Sequence, residues 1–268
     1  MGETMVTTKI NGRETRVPID TTALEAARSI GVEIPTLCYH PALVPYGACR
    51  LCLVEVKRPG HGGGRIVTSC TFHIREEGLE IDTHSERAQR DRKLVVELLL
   101  ARCPNVELLQ RLGKDLGIDK PRFTAQKQDE NCILCGLCVR VCEELIGQSA
   151  ISFTGRGPGR EVSTPFLEPS EACIGCGACA FVCPTHAIEV QDLLQLRKLD
   201  KWGTSLQQRP CVRCGKFFAP EVELEKLSDR LELVKNWLQL CPECRREVAA
   251  TDWIVGLRAS PASPVRRG

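Results

Sequence analysis

The chain has 268 residues, 17 of them cysteine, a formal net charge of +2 and only 4% aromatic residues. Near-neutral charge argues against a polyanion-binding surface, so no nucleic-acid partner is expected, and no apolar run approaches the ~18 residues of a membrane span. So many cysteines behind a start unlike a signal peptide imply a reducing compartment where thiols serve metals, and the expectation is a cytoplasmic metalloprotein of several small units.

Residues 1–83 read as one domain. Val6 to Ile10 predicts a strand, Asn11-Gly12 a hairpin turn and Thr15 to Ile19 the return strand. A short helix follows, with Asp20, Thr21 or Thr22 as its cap, Leu24, Ala27 and Ile30 on one face and Gly31 ending it. That order opens a β-grasp fold. Next come Cys38, Cys49, Cys52 and Cys70, a pattern related to the plant-type [2Fe-2S] motif but with a longer first gap. Gly47 and Ala48 allow a loop close enough for backbone N–H groups to reach sulfur. Cys38-Tyr39-His40 opens like a Rieske box, yet Cys49-x2-Cys52 ends in cysteine and no second histidine stands at ligand spacing. His40 is therefore expected to hydrogen-bond or pack. His61-Gly62-Gly63-Gly64 is expected to be a hairpin excursion, since the chain has no G-x-S-x-G nucleophile elbow.

Residues 84–122 predict a helical connector. Thr83 and Glu86 suggest a capping box, and Leu94, Val95, Leu98 and Leu99 line a helix to about Arg102. Pro104 breaks it, Asn105 stands where a cap is needed, and Val106, Leu109, Leu112 and Leu116 repeat until Gly117. Cys103, at the break, is expected to be a buried thiol.

Residues 123–192 hold two cysteine runs of the same spacing: Cys132, Cys135, Cys138, Cys142 and then Cys173, Cys176, Cys179, Cys183. This is the spacing of two-cluster bacterial ferredoxins, in which three thiolates of a run hold one [4Fe-4S] cube and the fourth crosses to the other. On that rule one cluster takes Cys132, Cys135, Cys138 and Cys183, and the other takes Cys142, Cys173, Cys176 and Cys179. Short strands are expected after each run, at Ala150–Phe153 and Ala187–Val190. Zinc sites rarely use three cysteines at this spacing and then repeat it.

Asp192 to Trp202 reads as a polar helix or linker. In 205–250 the pairs Cys211-x2-Cys214 and Cys241-x2-Cys244 flank an expected amphipathic helix, Glu221 to Leu240. Four thiolates favour one zinc, although rubredoxin-type iron uses the same ligands. This zinc-ribbon-like unit is expected to stand apart, so that a chain ending near Val190 keeps its iron–sulfur centres. Residues 258–268 are Pro/Ser-rich and expected to be disordered. The fold class is thus α+β, with cofactors of one [2Fe-2S], two [4Fe-4S] and one zinc.

The stretches PTLCYHPALVPYGACRLCLVEV and CILCGLCVRVCEELIGQSAISFTGRGPGREVSTPFL carry a family resemblance. Residues 5–192 resemble the N-terminal iron–sulfur region of the complex I large iron–sulfur subunit. The small diaphorase iron–sulfur subunit of NAD-reducing hydrogenases and the N-terminal half of iron-only hydrogenases share it. Gly155-x-Gly157-x-Gly159 belongs to that family's connector and lacks the strand-to-helix context of a nucleotide loop. The family's extra [4Fe-4S] segment, one histidine and three cysteines, is reduced here to His84 and Cys103, so that cluster is expected to be absent.

No nucleophile-and-base set or nicotinamide or flavin fingerprint is present, so no substrate-converting site is expected on this chain. The resemblance implies an electron-transfer subunit of a soluble hetero-oligomeric oxidoreductase. Its partners would be a flavin/NAD(H)-handling subunit and a catalytic hydrogenase, formate dehydrogenase or disulfide reductase module. A free ferredoxin-like carrier is the alternative, though such a chain would be shorter and more acidic. A zinc-ribbon regulatory or nucleic-acid-binding protein is the third, but Arg and Lys here are interspersed with Asp and Glu.

Overall fold

Asn11 and Gly12 carry φ of 51° and 81°, the two left-handed positions that a two-residue hairpin turn demands. They fold β1 (Met5–Ile10) onto β2 (Arg13–Pro18), with Ile10 opposite Arg13. The computed structural model describes residues 4–125, 128–231 and 237–259. By contact density the chain forms two units, Met1–Val162 with Ala178–Ala187, and Ser163–Gly177 with Ile188–Gly268.

In the first unit, α1 (Ala23–Ser29) starts at Thr22, whose hydroxyl accepts from Glu25 N while Glu25 reaches back to the cap, a complete capping box. Its buried Ala23, Leu24, Ala26 and Ala27 pack on a sheet that adds β3 (Leu53–Lys57), β4 (Arg65–Thr68) and β5 (Leu79–Asp82). The strand order is β2-β1-β5-β3-β4. β1 and β5 run parallel and the other neighbours antiparallel. The His61 glycine run forms the excursion between β3 and β4, as expected from its composition.

α2 (Glu86–Arg102) and α3 (Glu107–Asp115) follow, and their caps differ from expectation. Ser85, not Thr83, caps α2 by accepting from Ala88 N. Thr83 is instead buried and exchanges hydrogen bonds with the Asn11 side chain at 2.8 Å. Val106 occupies the cap position of α3, and Asn105 donates to Gln128 O. Val96, Leu100, Cys103, Val106 and Leu109 form a second core with Leu37, Leu43 and Leu51 from the first cysteine loop and Ile133, Leu137 and Val141 from the second. Each such Val or Leu contributes about 1.5–3 kcal/mol on burial. The connector is therefore the packing surface shared by two cysteine loops.

α4 (Leu137–Arg140) runs into a π-helical turn, Val141–Ile146, a form that recurs at functional sites because it re-aims side chains. β6 (Ser152–Thr154) and β7 (Glu161–Ser163) pair across the glycine connector. A Cβ on Gly155 would stand 2.3 Å from the Gly159 carbonyl oxygen, so the connector closes only with glycine there. After α5 (Ala178–Phe181) no strand forms at Ala187–Val190. The Ala187 N–H is taken by Cys183 Sγ at 3.3 Å.

In the second unit the expected helix or linker at Asp192–Trp202 is largely sheet. β8 (Gln191–Leu193) and β9 (Leu196–Leu199) form a hairpin, followed by a 3-10 turn over Asp200–Trp202. Leu196, Leu199 and Trp202 repeat every three residues, a near-helical spacing, yet Leu196–Leu199 pairs with β8 as a strand. β10 (Thr204–Pro210) and β11 (Phe217–Pro220) complete the antiparallel order β11-β10-β9-β8. α6 is described over Glu221–Leu231, a 3-10 turn in place of the expected helix spans Trp237–Gln239, and α7 covers Pro242–Ala259. Residues 232–236 of the expected long helix, and the expected tail from 260 onward, lie outside the described residues.

Candidate metal centres

Four cysteines of the first unit are electrostatic neighbours of one another. Cys38, Cys49, Cys52 and Cys70 are all buried. Gly47 has φ 68° and a Cβ there would meet Thr71 at 3.3 Å, which makes glycine the residue that fits. The sulfurs associate in two pairs. Cys49 N donates to Cys38 Sγ at 3.3 Å, and the Cys52 and Cys70 sulfurs lie 3.4 Å apart. Cys49 and Cys52 are each lowered to about 6, chiefly because Cys38 and Cys70 respectively hydrogen-bond to their sulfurs. The same contacts, then burial, push Cys38 and Cys70 far above the usual thiol range. Each pair thus sets a sulfur held below the usual thiol range beside one held above it, and thiols with such partners are donors a two-iron site can use. His40 does not join them: its Nδ1 accepts from Ala42 N at 3.2 Å.

The first ferredoxin-type run lies in the same unit. Cys135 is pushed up to about 11 by burial first, with the charges of Cys183, Cys132 and Cys49 adding to it. Burial also raises Cys138, helped by Cys135, Cys132, Cys179 and Cys183. Cys183, distant in sequence, is therefore an electrostatic neighbour of the first run, and Cys49 of the two-iron set is another. Cys142 and Cys183 each accept a backbone N–H, from Ala150 at 3.4 Å and Ala187 at 3.3 Å. Cys142 and Cys179 belong to the first unit, on elements packed together, while Cys173 and Cys176 belong to the second.

Two side chains that sequence reasoning missed fasten the first run to the two-iron loop. Arg140, between Cys138 and Cys142, donates Nη2 to Cys38 O at 2.7 Å and Nη1 to Val44 O, and stands 5.5 Å over the Tyr46 ring. Glu144 accepts from Val44 N at 2.9 Å. One peptide segment is held at both its N–H and its C=O by charged groups of the other motif, and such bonds are stronger than neutral ones.

In the second unit Cys211, Cys214, Cys241 and Cys244 have sulfurs all within 4.8 Å of one another. Cys214 and Cys241 stand 3.7 Å apart, against about 3.8 Å for tetrahedral zinc–thiolate bonds. Burial works to raise Cys211, but N–H groups of Cys241, Cys214 and Arg213 bring it down to about 6. Burial, then the neighbouring thiols, push Cys244 up to about 12. A preformed thiolate beside thiols suits a metal that displaces the remaining protons. Among the buried residues here the apolar support is slight, Leu224 and Leu238 with partly buried Phe218 and Leu240. A metal held by these four sulfurs would contribute folding free energy, about 10–16 kcal/mol for zinc in small domains, so Cys241→Ser is expected to unfold the 205–259 segment. Limited proteolysis reads this out, with cleavage in that segment and none in the first unit.

The outlying loop of Cys173 and Cys176 is also supported within this unit. Arg197, on β9, donates Nη1 to Gly175 O at 3.1 Å while forking Asp192 at 2.7 and 3.0 Å. Gly175 takes φ 70°, strained for any other residue, and a Cβ there would crowd Leu206 Cδ1 at 2.6 Å and Pro220 Cγ at 3.0 Å.

Comparison with known proteins agrees with this chemistry. A family described as a 2Fe-2S iron–sulfur cluster binding domain matches residues 3–86, and one described as a 4Fe-4S binding domain matches 170–189. Thiol geometry and both matches define an iron–sulfur protein with a two-iron domain, a four-iron motif and a further four-cysteine cluster. The chain is 33% identical over 207 residues to the NADPH-Fe(3+) oxidoreductase subunit alpha of Geobacter sulfurreducens, covering 69% of this chain and 24% of that one. It is 28% identical over 236 residues to an NADH-quinone oxidoreductase subunit of Rhizobium meliloti, covering 79% and 27%. A chain of the NAD+-reducing [NiFe]-hydrogenase crystal structure in the H2-reduced state superposes with a TM-score of 0.52 at 31% identity, covering 59% of this chain and 74% of that one. The protein belongs to the family of iron–sulfur subunits that these NADH-quinone oxidoreductase and NAD+-reducing hydrogenase chains represent. It spans about a quarter of the length of the curated relatives it matches. No helix among the described residues is long and apolar enough to cross a membrane.

Proposed function

We propose that the chain relays single electrons within a multi-subunit oxidoreductase, between a flavin/NAD(H)-handling subunit and a catalytic module of hydrogenase, formate dehydrogenase or disulfide reductase type. The observation that carries this reading is the fastening of the two-iron loop to the first ferredoxin-type run by Arg140 and Glu144, with Cys49 an electrostatic neighbour of Cys135. A carrier of one centre has no use for such a joint; a wire does.

In this reading residues 1–83 are a β-grasp domain, supported by the mixed sheet with α1 against it. Cys38 with Cys49, and Cys52 with Cys70, hold the two irons pairwise. Cys132, Cys135, Cys138 and Cys183 hold one [4Fe-4S] centre, and Cys142, Cys173, Cys176 and Cys179 the other. Iron–sulfur centres supply one-electron storage at low potential when bound. The chain's own residues supply thiolates, N–H bonds that favour them, burial that excludes water, and spacing. The four C-terminal cysteines hold zinc, which has no accessible redox step, so this unit carries no current.

Iron and zinc analysis of the anaerobically purified chain, with EPR after reduction, tests the reading. About ten irons, from one two-iron and two four-iron centres, and about one zinc are expected. A third four-iron signal would show that the family's extra cluster persists despite having only His84 and Cys103 in its interval. Two irons or fewer would sink the relay.

A further inference from the structure

Helix α2 buries Ala88, Arg92, Val96 and Leu100, one stripe at a spacing of four. Three of the four are apolar. Arg92 is the exception, and it is 5% exposed. Its Nη2 donates to the carbonyl of Leu53, the residue that follows Cys52. Its Nε is buried without a hydrogen-bond partner. Among the described residues no carboxylate forms an ion pair with it. The other buried charge of the same helix is treated differently. Glu97 is met by the guanidinium of Arg122, whose Nε donates to Oε2 at 2.9 Å.

An isolated guanidinium is costly to bury, and arginine does not escape by losing its proton. Something must offset the charge. Burial works against the charged form of Arg92, and the negative groups that favour it are Cys52 and, less, Asp82. Asp82 is exposed at the end of β5 and its carboxylate accepts from His84 N at 2.8 Å, so water and a local partner already serve it. The Cys52 site remains.

We infer that Arg92 is the buried counter-cation of the two-iron centre held by Cys38, Cys49, Cys52 and Cys70, and that it sets how readily that centre accepts an electron. This rests on the reading of those four cysteines as a two-iron site. Four thiolates and two sulfides around two ferric irons would leave the site net negative, and one-electron reduction adds one further negative charge with no bond broken and no proton moved. A fixed cation inside the protein, unscreened by salt, stabilises the reduced form more than the oxidised one. Through the Leu53 carbonyl, Arg92 also holds the start of β3, and with it Cys52, against helix α2. It is a positioning and charge-compensating residue, not one that carries the electron.

Full-length protein carrying Arg92→Met, Arg92→Gln or Arg92→Lys tests this, with electrons supplied by dithionite through viologen mediators. The readout is the EPR signal of the reduced two-iron centre at fixed poises. With methionine or glutamine the reduced-to-oxidised ratio is expected to fall at least tenfold, about 59 mV for one electron. Lysine, which restores charge without the fork, should recover part of that fall. A change under threefold in centres that keep their irons, or a larger fall that lysine does not lessen, overturns the inference. If methionine and glutamine abolish iron binding, lysine decides: binding retained shows that the charge is what the site requires, and binding lost shows that only the fork on Leu53 matters. Parent protein without any two-iron signal would refute the ligand assignment instead.

Discussion

Cys183→Ala is expected to remove the four-iron centre built on Cys132, Cys135 and Cys138, leaving the centre of its own run in place. Total iron should drop from about ten to about six, and the surviving four-iron signal should belong to Cys173, Cys176 and Cys179 with Cys142. The ground is both sequential and spatial. In a run of this spacing the fourth cysteine follows a short helix and faces away from the first three. In the folded chain Cys183 bears electrostatically on Cys135 and Cys138, and its sulfur accepts the Ala187 N–H. Losing it leaves one corner of the cube without a thiolate. Mössbauer or EPR spectra in which the second run's centre alone disappears would show that each run serves itself.

A chain ended after Val190 is expected to lose the second four-iron centre. From the sequence the C-terminal unit stands apart, and such a chain would keep all its iron. The second unit's packing argues otherwise. Arg197, Leu206 and Pro220 lie beyond the cut; Arg197 holds the Gly175 carbonyl, and Leu206 and Pro220 pack where a Gly175 Cβ would stand. Without them the Cys173–Cys176 loop loses a charged hydrogen bond, worth about 1.5–3 kcal/mol, and the apolar cover of its backbone. Arg197 also lies close enough to Cys176 for that thiol to favour its charge, after Asp192 and Glu223. Iron should again fall to about six, while the two-iron EPR signal persists. Ten irons in the truncated chain would restore the sequence-based expectation. Gly175→Ala in the full chain is the milder form of the same experiment.

Much of this protein is determined locally and so was legible in its sequence. Asn11-Gly12 requires a hairpin because both residues must take positive φ. Thr22 and Glu25 make a capping box because they stand three apart. The x2-x2-x3 runs, and the pairs Cys211/Cys214 and Cys241/Cys244, state their chemistry because a short loop can bring closely spaced cysteines to one metal. What the sequence left open is nonlocal. Leu196, Leu199 and Trp202 repeat every three residues, a near-helical spacing, yet pairing with β8 and β10 made Leu196–Leu199 a strand. Asn105 and Thr83 carry good capping side chains, yet Gln128 and Asn11 engage them first. Arg92 sits at an apolar position of a helix stripe, and Arg140 between two ligands, where a charge-pattern reading takes each for a solvated face. Their partners, the carbonyls of Leu53, Cys38 and Val44, are backbone groups far away in the chain and leave no mark in composition or spacing. The sequence determined which cysteines can hold metal; the tertiary structure decided which buried charges surround them, because a desolvated cation is tolerated only where folding brings it to a negative site.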